Sequence, residues 1–386
     1  MNCKNYKLTL AIYLFVLFSS VSFAQDARFD SLLFKGMDQI YGIEFEAAQK
    51  TFDRVKKEYP NHPAGLFFES GITWWKILLD LNNEELDDLF YDQIDETIDF
   101  CDEILDSDPM NEDALFFKGG SLGFRGRLLA IREEWLSAAL DGKDALPLIH
   151  NARSVNPDNP DLQLGFGIYN YYTAVIPTEF PMVKPFLWFL PPGDKELGLK
   201  QIENVAFNGK YAKYESMYFL AGVLDRHEKD YDGSLKFTKL LLEKFPNNPR
   251  FESLYARVFI RKNDWESGVK HFRVILEKCN AQQTGYINKY KREALYYVGV
   301  YEKNHYQREK TVKYLEECLK LSLQLEEDRE EESGFTINCV LYLGMMYDAN
   351  GEREKAIRNY EQVLDYNEHG NSHILAEKYL KEPYQF

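Results

Sequence analysis

Cysteine is scarce in this chain, with 5 among 386 residues, and nowhere do two stand as Cys-x-x-Cys, which excludes a dithiol redox motif. Positive charge is also short: 46 Lys and Arg face 62 Asp and Glu, for a formal net charge of −16. A surface of that sign repels phosphates, and DNA binding depends on neutralising them, so nucleic acid is not an expected partner. No P-loop, no His-Glu-x-x-His and no Gly-x-Gly-x-x-Gly after a strand occurs. After residue 24 no apolar run approaches the length of a membrane span.

The apolar run that does exist lies at the start. Lys4 and Lys7 precede it, it extends from Leu8 to Phe18, and Ser22-Phe23-Ala24 follows, with small residues at both positions a signal peptidase reads. Residues 1–24 therefore read as a signal peptide, with Gln25 first after cleavage. Cys3 sits ahead of the apolar run and is not placed as a lipoprotein cysteine. The mature chain would have 362 residues (386 less 24), and losing two lysines takes the charge from −16 to −18. The expected location is the periplasm, the outer membrane's surface or the exterior. Four cysteines would remain: Cys101, Cys279, Cys318 and Cys339. Export permits disulfides, but a chain this long has core enough without staples, so they read as buried free thiols.

What the sequence has in abundance is repetition. A glycine is followed twelve residues later by a small residue, then by large apolar residues four and seven further on. Gly36, Ala48, Phe52 and Val55 follow this order, closed by Pro60; Gly222, Ser234, Thr238 and Leu241 follow it, closed by Pro246. Gly299, Thr311, Leu315 and Cys318 repeat it, as do Gly344, Ala356, Tyr360 and Val363, while Ala256, Gly268, Phe272 and Ile275 give a variant. The spacing predicts pairs of antiparallel helices, with the small residues where two helices cross and the large ones filling the gap. Short polar turns such as Lys229-Asp230 and Asn350-Gly351 join the pairs, and the prolines stop second helices.

In phase and composition this resembles the tetratricopeptide repeat family, over nearly all of the mature chain. The resemblance implies an all-α solenoid (a superhelix of helical hairpins) over residues 25–371, with a capping segment over 372–386. Eight units end near 60, 109, 157, 210, 246, 280, 325 and 370. In units two and three Gly71 precedes Thr97, and Gly119 precedes Ala145, by 26 residues rather than twelve. The surplus predicts elongated helices in units two to four. Unit four carries AVIPTEFPMVKPFLWFLPPGD (174–194), whose Pro177, Pro181, Pro185, Pro191 and Pro192 argue against a regular helix through it. Around it, Gly165-Phe166-Gly167-Ile168-Tyr169, the pair Tyr171-Tyr172, Pro177, Gly193-Asp194 and Gly198 resemble the central region of the tetratricopeptide family that contains inclusion-body clearance proteins. That likeness implies a role at lipid or membrane surfaces and no catalysis.

Trp74, Trp75, Trp135 and Trp188 all fall in the three inserts and are expected to pack together as a satellite cluster. With Tyr171, Tyr172, Phe186 and Phe189 they are the candidate binding residues, part of the apolar face being left for a partner. Other apparent chemistry dissolves on reading. Gly119-Gly120-Ser121-Leu122-Gly123 has the form of a nucleophile elbow but lacks the preceding strand and falls on a helix crossing. His369 and His373 flank Gly370 and Asn371 in an expected loop, and a metal there is not expected. Residues 82–108 hold twelve Asp or Glu and no Lys or Arg, yet lack the ligand alternation calcium needs; with Leu86, Phe90, Ile94 and Cys101 at helical spacing they read as a helix with a solvated acidic face. Glu326 to Glu332 reads as a solvated linker. The function expected is a scaffold, neither enzyme nor cofactor carrier, that binds a protein or peptide partner in the cell envelope. The alternative is a carrier or sensor of an apolar small molecule or lipid, held by the aromatic inserts.

Overall fold

The computed structural model describes residues 27–179, 191–329 and 331–385. The expected signal peptide and the candidates Phe186, Trp188 and Phe189 lie outside them. Among the described residues every regular element is helical. The first hairpin is α1 (27–41) with α2 (Phe45–Glu58), the second α3 (Ala64–Leu79) with α4 (Asp87–Ser107). The third joins α5 (Glu112–Ile131) to α6 (Trp135–Val155), and the fourth α7 (Leu162–Glu179) to α8 (Lys195–Asn208). The fifth pairs α9 (Lys213–Val223), extended by a π-helical turn over Leu224–Glu228, with α10 (Tyr231–Lys244). Then come α11 (Pro249–Arg261) with α12 (Trp265–Asn280), α13 (Asn288–Asn304) with α14 (Arg308–Leu325), α15 (Gly334–Ala349) with α16 (Arg353–Asp365), and a last helix, α17 (Ser372–Lys381).

The repeat spacing accounts for the pairing. Ala48, Phe52 and Val55, Ser234, Thr238 and Leu241, Thr311, Leu315 and Cys318, and Ala356, Tyr360 and Val363 are all 0 % exposed. Each large side chain buried in this way contributes about 1.5–3 kcal/mol. The glycines they face leave no room for more: a Cβ on Gly36 would lie 2.3 Å from the Phe52 ring, and one on Gly344 2.7 Å from that of Tyr360.

A feature the sequence hides recurs at the hairpin turns. Ile43, Glu133, Lys229, Asn263, Tyr306 and Gly351 each adopt a left-handed backbone, with φ between 56° and 78°. Each stands at the join of a first helix to its second. Just after them, the backbone N–H of Glu44, Glu134, Asp264, Gln307 and Glu352 donates to the carbonyl five residues back, at 2.8–3.0 Å. This closes the last turn of the first helix and satisfies its carbonyls. The second and fourth hairpins, which carry inserts, do without this turn among the described residues.

The inserts are spent unevenly. α5 and α6 reach 20 and 21 residues, whereas α3 stays at 16 and the second hairpin's surplus goes into the loop over 80–86 and the 21 residues of α4. Pro177 does not end its helix as its ring predicts: α7 runs through it to Glu179. A proline past the first turn loses one helical hydrogen bond and crowds the carbonyl four residues back. That local cost bends a helix without always ending it, and Pro147 likewise lies inside α6. Nor is the acidic linker all solvated, since Glu326 is buried and bonded to Arg292, Ser322, Ser333 and Thr336.

Contacts divide the chain into two compact units, Met1–Leu220 and Ala221–Phe386, the boundary falling inside α9.

Candidate functional site

In a stack of helical hairpins the first helices of successive pairs stand side by side and line the inner face, the usual seat of a ligand. In the N-terminal unit that face belongs to α1, α3, α5 and α7, and the chain itself covers it. Residues 211–220 cross all four helices. Tyr211 donates its hydroxyl to Asp30 at 2.8 Å and lies against Phe34 and Phe68, with ring centroids 5.9 and 6.1 Å away. Tyr214 meets Tyr41 at 5.6 Å, Tyr218 meets Trp75 at 5.6 Å, and Phe219 meets Tyr172 at 5.6 Å. Glu215 forms an ion pair with Arg127, whose guanidinium lies 5.0 Å from the Trp74 ring centroid and 5.7 Å from that of Phe219. Tyr41 is fully enclosed here; burial, with the Glu215 carboxylate beside it, pushes its hydroxyl well above the ordinary value.

The sequence explains why this stretch goes inside. KYESMYFLAGV has no polar face, and Glu215 through Leu220 are all buried; a helix apolar all round must be enclosed. Its start is held by Asp161, whose carboxylate accepts the backbone N–H of Lys210, Tyr211 and Ala212 at 2.8, 2.8 and 3.3 Å. These donors belong to the segment that leads into α9, so one carboxylate fixes the entry to the helix.

The candidate residues therefore divide. Trp74 and Trp75 are 1 % and 2 % exposed and do not cluster with each other's neighbours. Successive helical residues point about 100° apart, so Trp74 packs on Phe90 and Phe124 while Trp75 turns to Tyr41 and Tyr218. Trp135 is half-buried at the head of α6 and among the described residues makes no ring contact with either, so the expected satellite cluster does not form there. Tyr171 is fully buried and Tyr172 half-buried, edge to face at 5.5 Å. The glycines of the same central region serve close packing. A Cβ on Gly165 would lie 2.5 Å from Ile149, and one on Gly198 2.7 Å from the carbonyl oxygen of Gly167. Tyr169 donates to the Pro191 carbonyl at 2.6 Å.

The C-terminal unit presents its inner face differently. Its first helices α11, α13 and α15 are linked by polar and aromatic contacts rather than by an apolar plug. Ser253 donates to Glu293 at 2.5 Å, and Arg257 pairs with the same carboxylate at 3.4 Å. Across to α15, Tyr296 stands edge-on to Phe335 at 5.1 Å and its hydroxyl donates to that of Tyr342. Lys303, two turns along α13 from Tyr296, holds its ammonium 5.0 Å from the centroid of the Tyr342 ring. Burial alone holds Lys303 below the ordinary lysine value, and no carboxylate faces it among the described residues. Arg257, Tyr296, Lys303 and Tyr342 are all half-buried, as is Asn338, one turn before Tyr342 on α15. Sequence reading passed over this set. Its one signal was the seven-residue interval from Tyr296 to Lys303, which keeps both on one side of a helix.

Other candidates take structural places. Ser121 lies inside α5, fully buried, with no partner for its hydroxyl among the described residues. His373 Nε2 lies 2.9 Å from the Tyr366 carbonyl oxygen, and the His369 backbone N–H donates to Ser372. No group of three metal-ligating side chains occurs, and no helix is long and apolar enough to cross a membrane, among the described residues. A shallow hollow of about 620 Å³ on α14, walled by Glu309, Lys313, Glu316 and Lys320, lies away from the inner face.

Residues 339–367, from within α15 to just past α16, match the family model described as tetratricopeptide repeat. The hairpin over those residues is a tetratricopeptide repeat. No curated protein matches the chain. Among solved structures, a human IFIT1 dimer with PPP-AAAA matches at 14 % identity and a TM-score of 0.38, covering 87 % of this chain and 69 % of that one. A monomeric IFIT1 mutant with Gppp-AAAA matches at 13 % and 0.41, covering 92 % and 86 %. NprR in complex with its cognate peptide NprX matches at 11 % and 0.38, covering 91 % and 83 %. Likenesses this distant transfer no ligand to this chain.

Proposed function

We propose that this chain is an exported tetratricopeptide scaffold, without catalytic activity, that grips a peptide or protein segment in the cell envelope on the inner face of its C-terminal unit. The observation that carries the reading is Lys303, a half-buried ammonium that no carboxylate faces among the described residues, in a chain of net charge −16. Beside it stands Tyr342, whose hydroxyl Tyr296 meets, and these rings add flat apolar area and hydrogen bonds at low entropic cost. Support for export comes from the Lys4–Ala24 pattern alone. The net charge argues against nucleic acid as the ligand.

The test is capture from native envelope by wild-type chain and by Lys303→Glu, each first shown to melt alike. The reading expects a protein band held by the wild type and lost with Lys303→Glu. Equal capture by both would move the site elsewhere. Lipid recovered by solvent extraction of the purified wild type, with no protein captured, would favour the carrier of an apolar ligand. N-terminal sequencing of exported protein should begin at Gln25, and an unprocessed start would refute export.

A further inference from the structure

In the C-terminal unit, α14 and α15 pack against each other through a seam of small side chains. The hydroxyls of Ser322 and Thr336 meet there at 2.7 Å. One turn back along α14 from Ser322 stands Cys318, and one turn on along α15 from Thr336 stands Cys339. In an antiparallel pair those two steps run the same way, so the two thiols come opposite each other, and a hydrogen bond joins them. Both residues are 0 % exposed. Cys318 Sγ also donates to the Arg292 carbonyl at 3.4 Å. Small side chains such as Ser, Thr and Cys let two helices approach closely, and a disulfide needs a Cα separation of about 4.4–6.8 Å. Cys101 in α4 and Cys279 in α12 have no such thiol neighbour among the described residues.

We propose that Cys318 and Cys339 are a redox pair that closes to a disulfide when the chain folds in an oxidising compartment. Two S–H bonds break and one S–S bond forms. The two electrons and two protons pass to a disulfide-carrying oxidant such as oxidised glutathione, which leaves as two thiols after a mixed disulfide. The neighbouring Cys318 thiol and burial both keep Cys339 protonated once the helices have closed, so the thiolate attacks during folding, before the seam forms. The bond staples α14 to α15 across the acidic segment between them. This inference stands on the seam and is independent of the peptide-binding reading.

The test refolds the full chain, reduced and unfolded, with and without oxidised glutathione, then unfolds it again and alkylates it with iodoacetamide. Of the 5 cysteines, the oxidised sample is expected to take up three alkyl groups and the reduced sample all five. A proteolytic digest of the oxidised sample should yield one linked pair of peptides, holding Cys318 and Cys339. Full alkylation of both samples, or a linkage through any other cysteine, would overturn the proposal. The variant carrying both Cys101→Ala and Cys279→Ala should keep the same link. Adding oxidant only after refolding should slow its formation at least tenfold, and equal rates would contradict closure during folding.

Discussion

The two units are built from one repeat and use its inner face in opposite ways. In the N-terminal unit α1, α3, α5 and α7 close around residues 211–220, so the groove is core. In the C-terminal unit α11, α13 and α15 keep arginine, lysine, tyrosine and asparagine half-buried on the same side. The hairpins do not decide this, since the crossing residues of both units are fully buried. What decides it is the chemistry of the first helices. α9 has apolar residues all round its axis, while α11 concentrates them on one side and leaves a polar stripe. A repeat fold thus carries one geometry and two outcomes, according to whether a helix has anything to offer water.

The sharpest way to break that comparison is to truncate one aromatic and one cation. Trp75→Ala removes a fully enclosed ring from the filled face and should cost about 3–5 kcal/mol. Lys303→Ala, on the open face, should change stability by no more than about 0.5 kcal/mol while abolishing capture of the partner. Calorimetry reads the first and pull-down the second. A mild effect of Trp75→Ala would mean that residues 211–220 rest on the groove without filling it.

Much of this was legible in the sequence, and the remainder was illegible for identifiable reasons. Ala48, Phe52 and Val55, and their counterparts in later hairpins, declare themselves because helix crossing is local and repeats in phase. The filled groove rests on contacts such as Asp30 with Tyr211, separated by 181 positions, which no local period encodes. Its trace in the sequence was negative: KYESMYFLAGV occupies a repeat position and lacks that position's polar side. The left-handed backbone of the turns went unread for another reason, although turns at Lys229-Asp230 and Asn350-Gly351 were expected. Left-handed residues are expected to be glycine, yet Ile43, Glu133, Lys229, Asn263 and Tyr306 hold five of those six places. The tryptophans were misread because adjacency in sequence on a helix means divergence in space, as Trp74 and Trp75 demonstrate.

A second comparison concerns glycines that the repeat pattern treats as equivalent. Gly36→Ala and Gly344→Ala push a methyl into Phe52 and Tyr360, and each should cost about 1–3 kcal/mol in its own unit. At Gly222 the nearest atom to a new Cβ is the Arg226 Nη2 at 3.2 Å, the end of a flexible side chain. Gly222→Ala should therefore be close to neutral or gain helix propensity, up to about 1 kcal/mol. Melting curves of the three variants check this, and equal losses at all three would restore equivalence.

Acid should separate the units next. Burial opposes ionisation of Glu326, but hydrogen bonds from Ser333, Thr336 and Ser322 outweigh it and lower its pKa from the ordinary 4.5. Its contribution to the C-terminal unit is thus fully present above 4.5 and lost as pH falls through the folded value. Asp161 runs the other way. Burial raises its carboxyl above the ordinary 3.8 despite three backbone donors, so its contribution is present below 3.8 and fades as pH rises through the folded value. Melting temperature against pH should show Glu326→Gln losing its penalty as the solution is acidified. Asp161→Asn should be relatively more damaging in acid, and parallel profiles for the two variants would contradict both assignments.

The smallest effect tests what the units share. Glu133 in the N-terminal unit and Tyr306 in the C-terminal unit hold φ of 64° and 61° at matching hairpin turns, and both are exposed. A left-handed backbone costs a residue with a Cβ about 1–2 kcal/mol. Glycine relieves that strain but gives up about 0.5–1 kcal/mol through the greater freedom of its unfolded chain. The difference leaves Glu133→Gly and Tyr306→Gly each more stable by about 0.5–1 kcal/mol, a rise of a few degrees in melting temperature. Equal gains would locate the contrast between the units on their inner faces alone, with the hairpin turns interchangeable. A gain at Tyr306 without one at Glu133 would instead mean that the longer α5 and α6 hold their turn by other contacts, and that the insert reshaped the hairpin as well as lengthening it.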